Sequence, residues 1–167
     1  AIVGLGKDPL DIVDEAEARY NKESSSYHPD FDKVFCVFDR DTHSRYFNAL
    51  SKIDTLNRRI GGSEPTFIGI TSDPCFEIWL ILHLTYTTKF YQPTQKKSVS
   101  NIVYDDLCKI YPNYKKSSEG IFKDLLPNLD DAINNAEKLK AYCTSNGATS
   151  PLTGLDELMI YLRDIKL

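Results

Sequence analysis

Hydrophobic and polar positions along the first half of the chain alternate between strand and helix patterns. Ile2-Val3-Gly4-Leu5-Gly6 is a short apolar stretch closed by glycine, and Pro9 with Leu10, Ile12, Val13 and Ala16 at helical spacing predicts a helix behind it. Residues 34–38 form an unbroken apolar run rich in β-branched and aromatic side chains, the pattern of a strand covered on both faces, which stops at Asp39-Arg40-Asp41. The spacing then predicts a helix over 44–60, with Tyr46, Phe47, Leu50, Ile53 and Leu56 on its inner side. Gly61 to Pro65 breaks the chain, 66–70 reads as a third strand, and Asp73-Pro74 has the residue types of a helix N-cap and first helical position. Strands joined by crossovers long enough to hold helices predict an α/β fold, with a mostly parallel sheet covered by helices.

The second half changes character. Residues 103–110, 121–126, 130–142 and 155–165 read as helices separated by Pro-, Asn- and Ser-rich turns, and the polar stretch 85–100 as a mobile loop. The expected organisation is an α/β core over 1–84 with a helical extension over 85–167 packed on it in the same domain.

Composition narrows the class. With 41% hydrophobic and 26% charged residues among 167, the chain resembles an ordinary compact domain, which excludes disordered, collagen-like and coiled-coil classes. The apolar run 78–84, interrupted by His83, is too short to cross a bilayer and the N-terminus lacks a signal-peptide pattern, so the reading is a cytoplasmic chain with no membrane partner. A net charge of −4 argues against holding nucleic acid by bulk electrostatics. Residues 85–123, however, carry seven lysines against three acids, leaving room for a local basic surface. Cys36, Cys75, Cys108 and Cys143 are widely spaced and form neither a zinc pattern nor a disulfide framework. Cys75 is read as packed rather than reactive.

The sharpest chemical signal is Asp39-x-Asp41 at the carboxyl end of a buried strand, where open α/β sheets place their ligands. Two carboxylates at that turn supply hard oxygen donors suited to Mg²⁺ or Mn²⁺. The competing reading is a polar turn that caps the next helix or flanks Arg40 in an ion pair. A second dense stretch, 71–84, holds the single Trp79, Glu77 and His83. Ser72 and Asp73 are read there as N-cap residues, and Glu77 as either a further member of the acid cluster or a charge favouring the helix N-terminus. Phe76, Trp79, Leu80 and Leu82 read as core, and His83 as a structural, buried polar residue.

These residues, in their order, resemble the RloB-like family, abortive-infection proteins with a Toprim-like core. The likeness rests on Gly4-Leu5-Gly6-Lys7-Asp8-Pro9-Leu10, on Val34-Phe35-Cys36-Val37-Phe38-Asp39-Arg40-Asp41 and on Ser72-Asp73-Pro74-Cys75-Phe76-Glu77-Ile78-Trp79-Leu80. It continues through Tyr114-Lys115-Lys116, the 132–139 helix and Pro151-x-Thr153, so that it covers nearly the whole chain. The P-C-F-E-x-W-L segment is its most specific element. The chain departs from the family pattern at Asp73, where Asn is usual, and at Ser150-Pro151-Leu152-Thr153, where Asn-Pro-Ser-Thr is usual. A Toprim site also draws a glutamate from an earlier strand, and no such strand precedes Ala1; the expectation is that the chain starts inside the domain or has lost one metal-site acid.

The resemblance implies a Mg²⁺- or Mn²⁺-dependent nuclease effector of an anti-phage abortive-infection system, cleaving phosphodiester bonds of DNA or RNA under the control of a partner ATPase. Asp39 and Asp41 then bind metal, Glu77 is a further ligand or orients water, and Lys116 holds a phosphate, helped by Lys115, Lys96 and Lys97. The alternative is a catalytically inactive adaptor subunit that binds the ATPase, with Tyr86, Phe90, Tyr91, Tyr104, Tyr111 and Tyr114 as an exposed aromatic interface. A small-molecule phosphoryl transferase is disfavoured because there is no P-loop and Gly4-x-Gly6 lacks the third glycine of a dinucleotide fingerprint.

Overall fold

The computed structural model describes residues 6–23, 31–41 and 43–165. Its elements are α1 (Pro9–Glu23), β1 (Val34–Asp39), α2 (Tyr46–Ile60), β2 (Phe67–Asp73), α3 (Glu77–Leu84), α4 (Val99–Ile110), α5 (Ile121–Leu125), a 3₁₀ turn (Leu126–Asn128), α6 (Leu129–Asn146), β3 (Leu152–Thr153) and α7 (Leu155–Asp164). The strand expected at Ile2 to Gly6 falls almost wholly on residues 1–5, outside the described residues. Among the described residues no helix is long and apolar enough to cross a membrane.

The described strands are ordered β1-β2-β3. Val34 N–H donates to Thr66 O at 2.8 Å and Arg40 N–H to Ser72 O at 2.8 Å, the same six-residue step along both strands and therefore a parallel pair. β3 runs antiparallel to β2, with Ser72 opposite Thr153 and Asp73 opposite Leu152. The α/β class is as expected, but the mostly parallel sheet is corrected to a small mixed one. Two residues of strand carry too little hydrophobic pattern to be seen in the sequence, and β3 is held in place by its partner, down to the 3.1 Å bond between the Ser72 and Thr153 hydroxyls.

The described residues divide into two compact units, one within 1–38 and 42–70 and the other comprising 39–41 and 71–167. In the first, α1 packs on α2, and Val13, Cys36, Phe38, Ala49, Ile53, Leu56 and Phe67 form the core. The spacing of Tyr46, Ala49, Ile53 and Leu56 puts one apolar stripe of α2 inward. Phe47, predicted on that stripe, is 64% exposed: one residue from Tyr46, it is turned away by the helical period. The C-terminal part of α2 is tied to β2 by Asn57, whose amide donates to Phe67 O and accepts from Phe67 N–H, each at 2.8 Å.

In the second unit α3 packs against α4 and α6, and residues Glu77 to His83 are all buried. A helix apolar on every side belongs inside, which is why its seam reads as a run rather than a stripe. Asn135 of α6 donates to Leu82 O at 2.9 Å, satisfying a carbonyl in the last turn of α3. The stretch 85–98 contains no helix or strand, and α4 starts at Val99, four residues earlier than its apolar pattern, because the Ser98 hydroxyl accepts from Asn101 N–H at 3.3 Å. α6 stops at Gly147, whose φ of +63° is the left-handed conformation glycine takes without cost. The N-cap role predicted for Ser72 and Asp73 is not observed: both belong to β2, and α3 begins only at Glu77.

Candidate functional site

β1 ends at Asp39 because the apolar run that fills its buried positions ends there. Backbone pairing persists for two more residues, with Arg40 N–H on Ser72 O and Asp41 N–H donating to Pro74 O at 2.9 Å. Asp41 then turns the chain through a φ of +30°, a conformation short polar side chains tolerate better than branched ones. This brings the 39–41 turn alongside the segment leading into α3. The backbone N–H of Phe76 donates to the Asp39 carboxylate, and Asp39 feels the charges of Glu77, Asp41 and Lys116. Burial, with repulsion from Glu77 and Asp41 added, pushes its pKa up to about 6 despite the Phe76 bond and the lysine.

Glu77 lies in the first turn of α3 and is 4% exposed. Lys116 Nζ stands 2.9 Å from its Oε1, and the buried Tyr114 hydroxyl donates to the same oxygen at 3.2 Å. Burial acts to raise the Glu77 pKa, but hydrogen bonds from Lys116 and the Cys75 thiol, with the lysine charge, hold it below the ordinary carboxylate value. Burial and the neighbouring carboxylate keep the Cys75 thiol and the Tyr114 phenol protonated, with pKa values raised. Two carboxyl groups of one cluster are thus driven apart: Asp39 toward its neutral form, Glu77 toward its anion.

The four predicted site residues Asp39, Asp41, Glu77 and Lys116 are therefore brought into one electrostatic cluster. Arg40 pairs at 2.6 Å with Asp73, which uses Asp73 as a strand-end partner. Lys97, expected to help hold phosphate, is bonded to Asp105, and Lys89 and Lys109 both bind Asp106, so much of the local positive charge is neutralised. Tyr91 and Tyr114, read as exposed aromatics, are each 6% exposed, and Phe76, read as core, is 40% exposed. Cys75 is buried, and His83 is buried with Nδ1 2.9 Å from Trp79 O. The support of Glu77 by Tyr114 and Cys75 was not anticipated. Its only trace in sequence is adjacency, Cys75 two positions before Glu77 and Tyr114 two before Lys116.

Does this donor set fit the divalent cation that the family resemblance implies? Asp39 and Asp41 are hard oxygen donors whose repulsion, together with that of Glu77, a cation would relieve. Mg²⁺ is commonly held by one or two carboxylates with water and substrate oxygens completing its shell. Among the described residues no group of three or more His, Cys, Asp or Glu is arranged to hold a metal, in keeping with Glu77 being engaged by Lys116. The residues fit a two-carboxylate site, not a closed protein cage.

The chain matches a family model described as RloB-like protein over residues 3–162. No curated protein and no solved structure matches it.

Proposed function

The chain belongs to the RloB-like family, and from that premise we propose that it is a metal-dependent nuclease effector with a Toprim-like core, acting in the cytoplasm in anti-phage abortive infection. The observation that carries this reading is the cluster of Asp39, Asp41 and Glu77 with Lys116 beside it. Acids and a base gathered around one strand end, one carboxyl driven toward neutrality and another held ionised, are the pattern of a site rather than of a solvated turn.

Asp39 and Asp41 would hold Mg²⁺ or Mn²⁺, with Glu77 as a third oxygen donor when Lys116 turns from it to a phosphate. A divalent ion there supplies Lewis-acid polarisation of the phosphodiester. Lys116, more than half exposed at its side chain, reaches solvent while its ammonium touches Glu77. A phosphate oxygen is a natural replacement partner for it. Tyr114 and the Cys75 thiol then keep Glu77 in position as an acceptor for a water proton. DNA and RNA are both compatible with such contacts, because phosphate contacts carry no sequence information. A partner ATPase is the proposed source of control.

The test is direct. The protein, with and without its ATPase, is incubated with labelled DNA and RNA in Mg²⁺ or Mn²⁺. Cleavage that disappears in the Asp39→Asn/Asp41→Asn double variant supports the nuclease; no cleavage under any of these conditions sinks it. One observation favours the second reading, an inactive adaptor: Glu77 is already neutralised by Lys116, as a retired site would be. Co-purification with the ATPase that survives both Asp substitutions, together with absent cleavage, is the result that reading requires.

A further inference from the structure

A cavity of about 330 Å³ in the second unit is lined by Phe76, Trp79, His83, Ile121, Phe122 and Leu125 among others. Its size is at the lower end of the range of small-molecule pockets. Trp79, His83 and Leu125 are buried, whereas Phe76 and Phe122 are 40% and 65% exposed, so two of its lining rings are open to solvent. Large exposed aromatic rings beside a pocket suit a flat, stacking ligand.

His83 and Ser118 bring polar groups to the otherwise apolar lining. His83 Nδ1 lies 2.9 Å from the Trp79 carbonyl, which only accepts, so Nδ1 carries the hydrogen. Burial holds His83 below its ordinary pKa, and the neutral ring keeps a lone pair on Nε2. No described residue hydrogen-bonds to that nitrogen. The cavity thus offers aromatic surfaces and, in the His83 ring, an acceptor, complementary to a heteroaromatic ring bearing an N–H or amino group.

The cavity also shares its walls with the carboxylate cluster. Phe76 gives its side chain to the cavity and its backbone N–H to Asp39, and Glu77 follows it directly. Ser118, two residues after Lys116, also lines the cavity. We propose that this cavity is a nucleobase subsite, which stacks one base of the nucleic acid on Phe76 and Phe122 while the adjoining phosphate meets Lys116. The inference rests on the nuclease reading for the identity of the larger ligand, but binding does not require cleavage.

Trp79 is the only tryptophan in the chain and lines the cavity, so its fluorescence reports occupancy. Adenosine 5′-monophosphate and ribose 5-phosphate are titrated, without divalent ion, into the protein and into the Asp39→Asn/Asp41→Asn variant. Saturable quenching by the nucleotide but not by the sugar phosphate is expected in both proteins. Phe122→Ala, at an exposed position, should weaken it about tenfold, and Phe122→Tyr should restore it, as for loss and return of one stacking partner. Equal responses to the two probes, or nucleotide binding unchanged in Phe122→Ala, overturns the subsite. Because neither readout involves cleavage, an inactive protein that still distinguishes the probes defeats the nuclease and leaves the base pocket standing.

Discussion

Asp39 shows at residue scale what gathering like charges at one strand end costs in stability. Its pKa of about 6 in the fold exceeds the ordinary 3.8, so between those values the folded chain holds more protons than the unfolded one. Stability from this group therefore falls as pH rises through that window and stays at its lower level above it. Asp39→Asn removes the penalty: at pH 8 urea unfolding should show a gain on the order of 2 kcal/mol, shrinking as pH drops from about 6 toward 4. At the proposed metal site the same proton would compete with the cation, so Mg²⁺ affinity measured by isothermal titration calorimetry should weaken as pH falls through 6 in the parent chain and be lost in Asp39→Asn. Glu77 has the opposite sign. Its lowered pKa contributes stability above its ordinary 4.5 that is lost as pH falls through the folded value. Lys116→Met leaves that buried carboxylate short of its cation. Because the lysine is itself 58% exposed, the loss should be only about 1–2 kcal/mol near neutral pH and smaller in acid, as read from denaturation curves at several pH values.

At the scale of elements, periodicity located the helices and failed where single contacts set the ends. Ser98 starts α4 ahead of its apolar stripe, and Asp73 finishes a strand although its residue type suits a cap. The strand-to-helix approach in the first unit depends on Gly69. A Cβ there would stand 3.1 Å from Ile53 Cδ1 and 3.3 Å from Leu50 Cδ2, tight enough that these side chains must shift by a few tenths of an ångström. Gly69→Ala should cost about 1–3 kcal/mol by thermal or urea unfolding. Adding Ile53→Val, which removes the closer methyl, should cost less than the two separate losses together, since the residues share one contact. No hydrophobic pattern announces such a glycine. It is visible only when α2 and β2 are placed side by side.

For the whole molecule the charge balance bears on the nucleic-acid binding proposed above. The chain carries −4, and three of the seven lysines of its basic stretch are paired with Asp105 or Asp106, leaving few ammonium groups to meet phosphates. A plot of log binding constant against log salt for duplex DNA should therefore be shallow, with a slope smaller in magnitude than about 3; a steeper dependence would show phosphate contacts that these pairings do not leave. The sequence by itself determined the α/β class, the strand that runs into Asp39-Arg40-Asp41, the buried helix that carries Glu77 and the family, because these are written in local periodicity and in motifs of adjacent residues; it misjudged the cover of that strand, which buries Cys36 and Phe38 on one face and leaves Val37 on the other 41% exposed. Only the tertiary structure decided that Lys116 and Tyr114, nearly forty positions away, grip Glu77, that the sheet is mixed, and which carboxyl has its pKa raised. Long-range pairing, burial and the resulting fields depend on which elements meet, and that information is not contained in the spacing within any one of them.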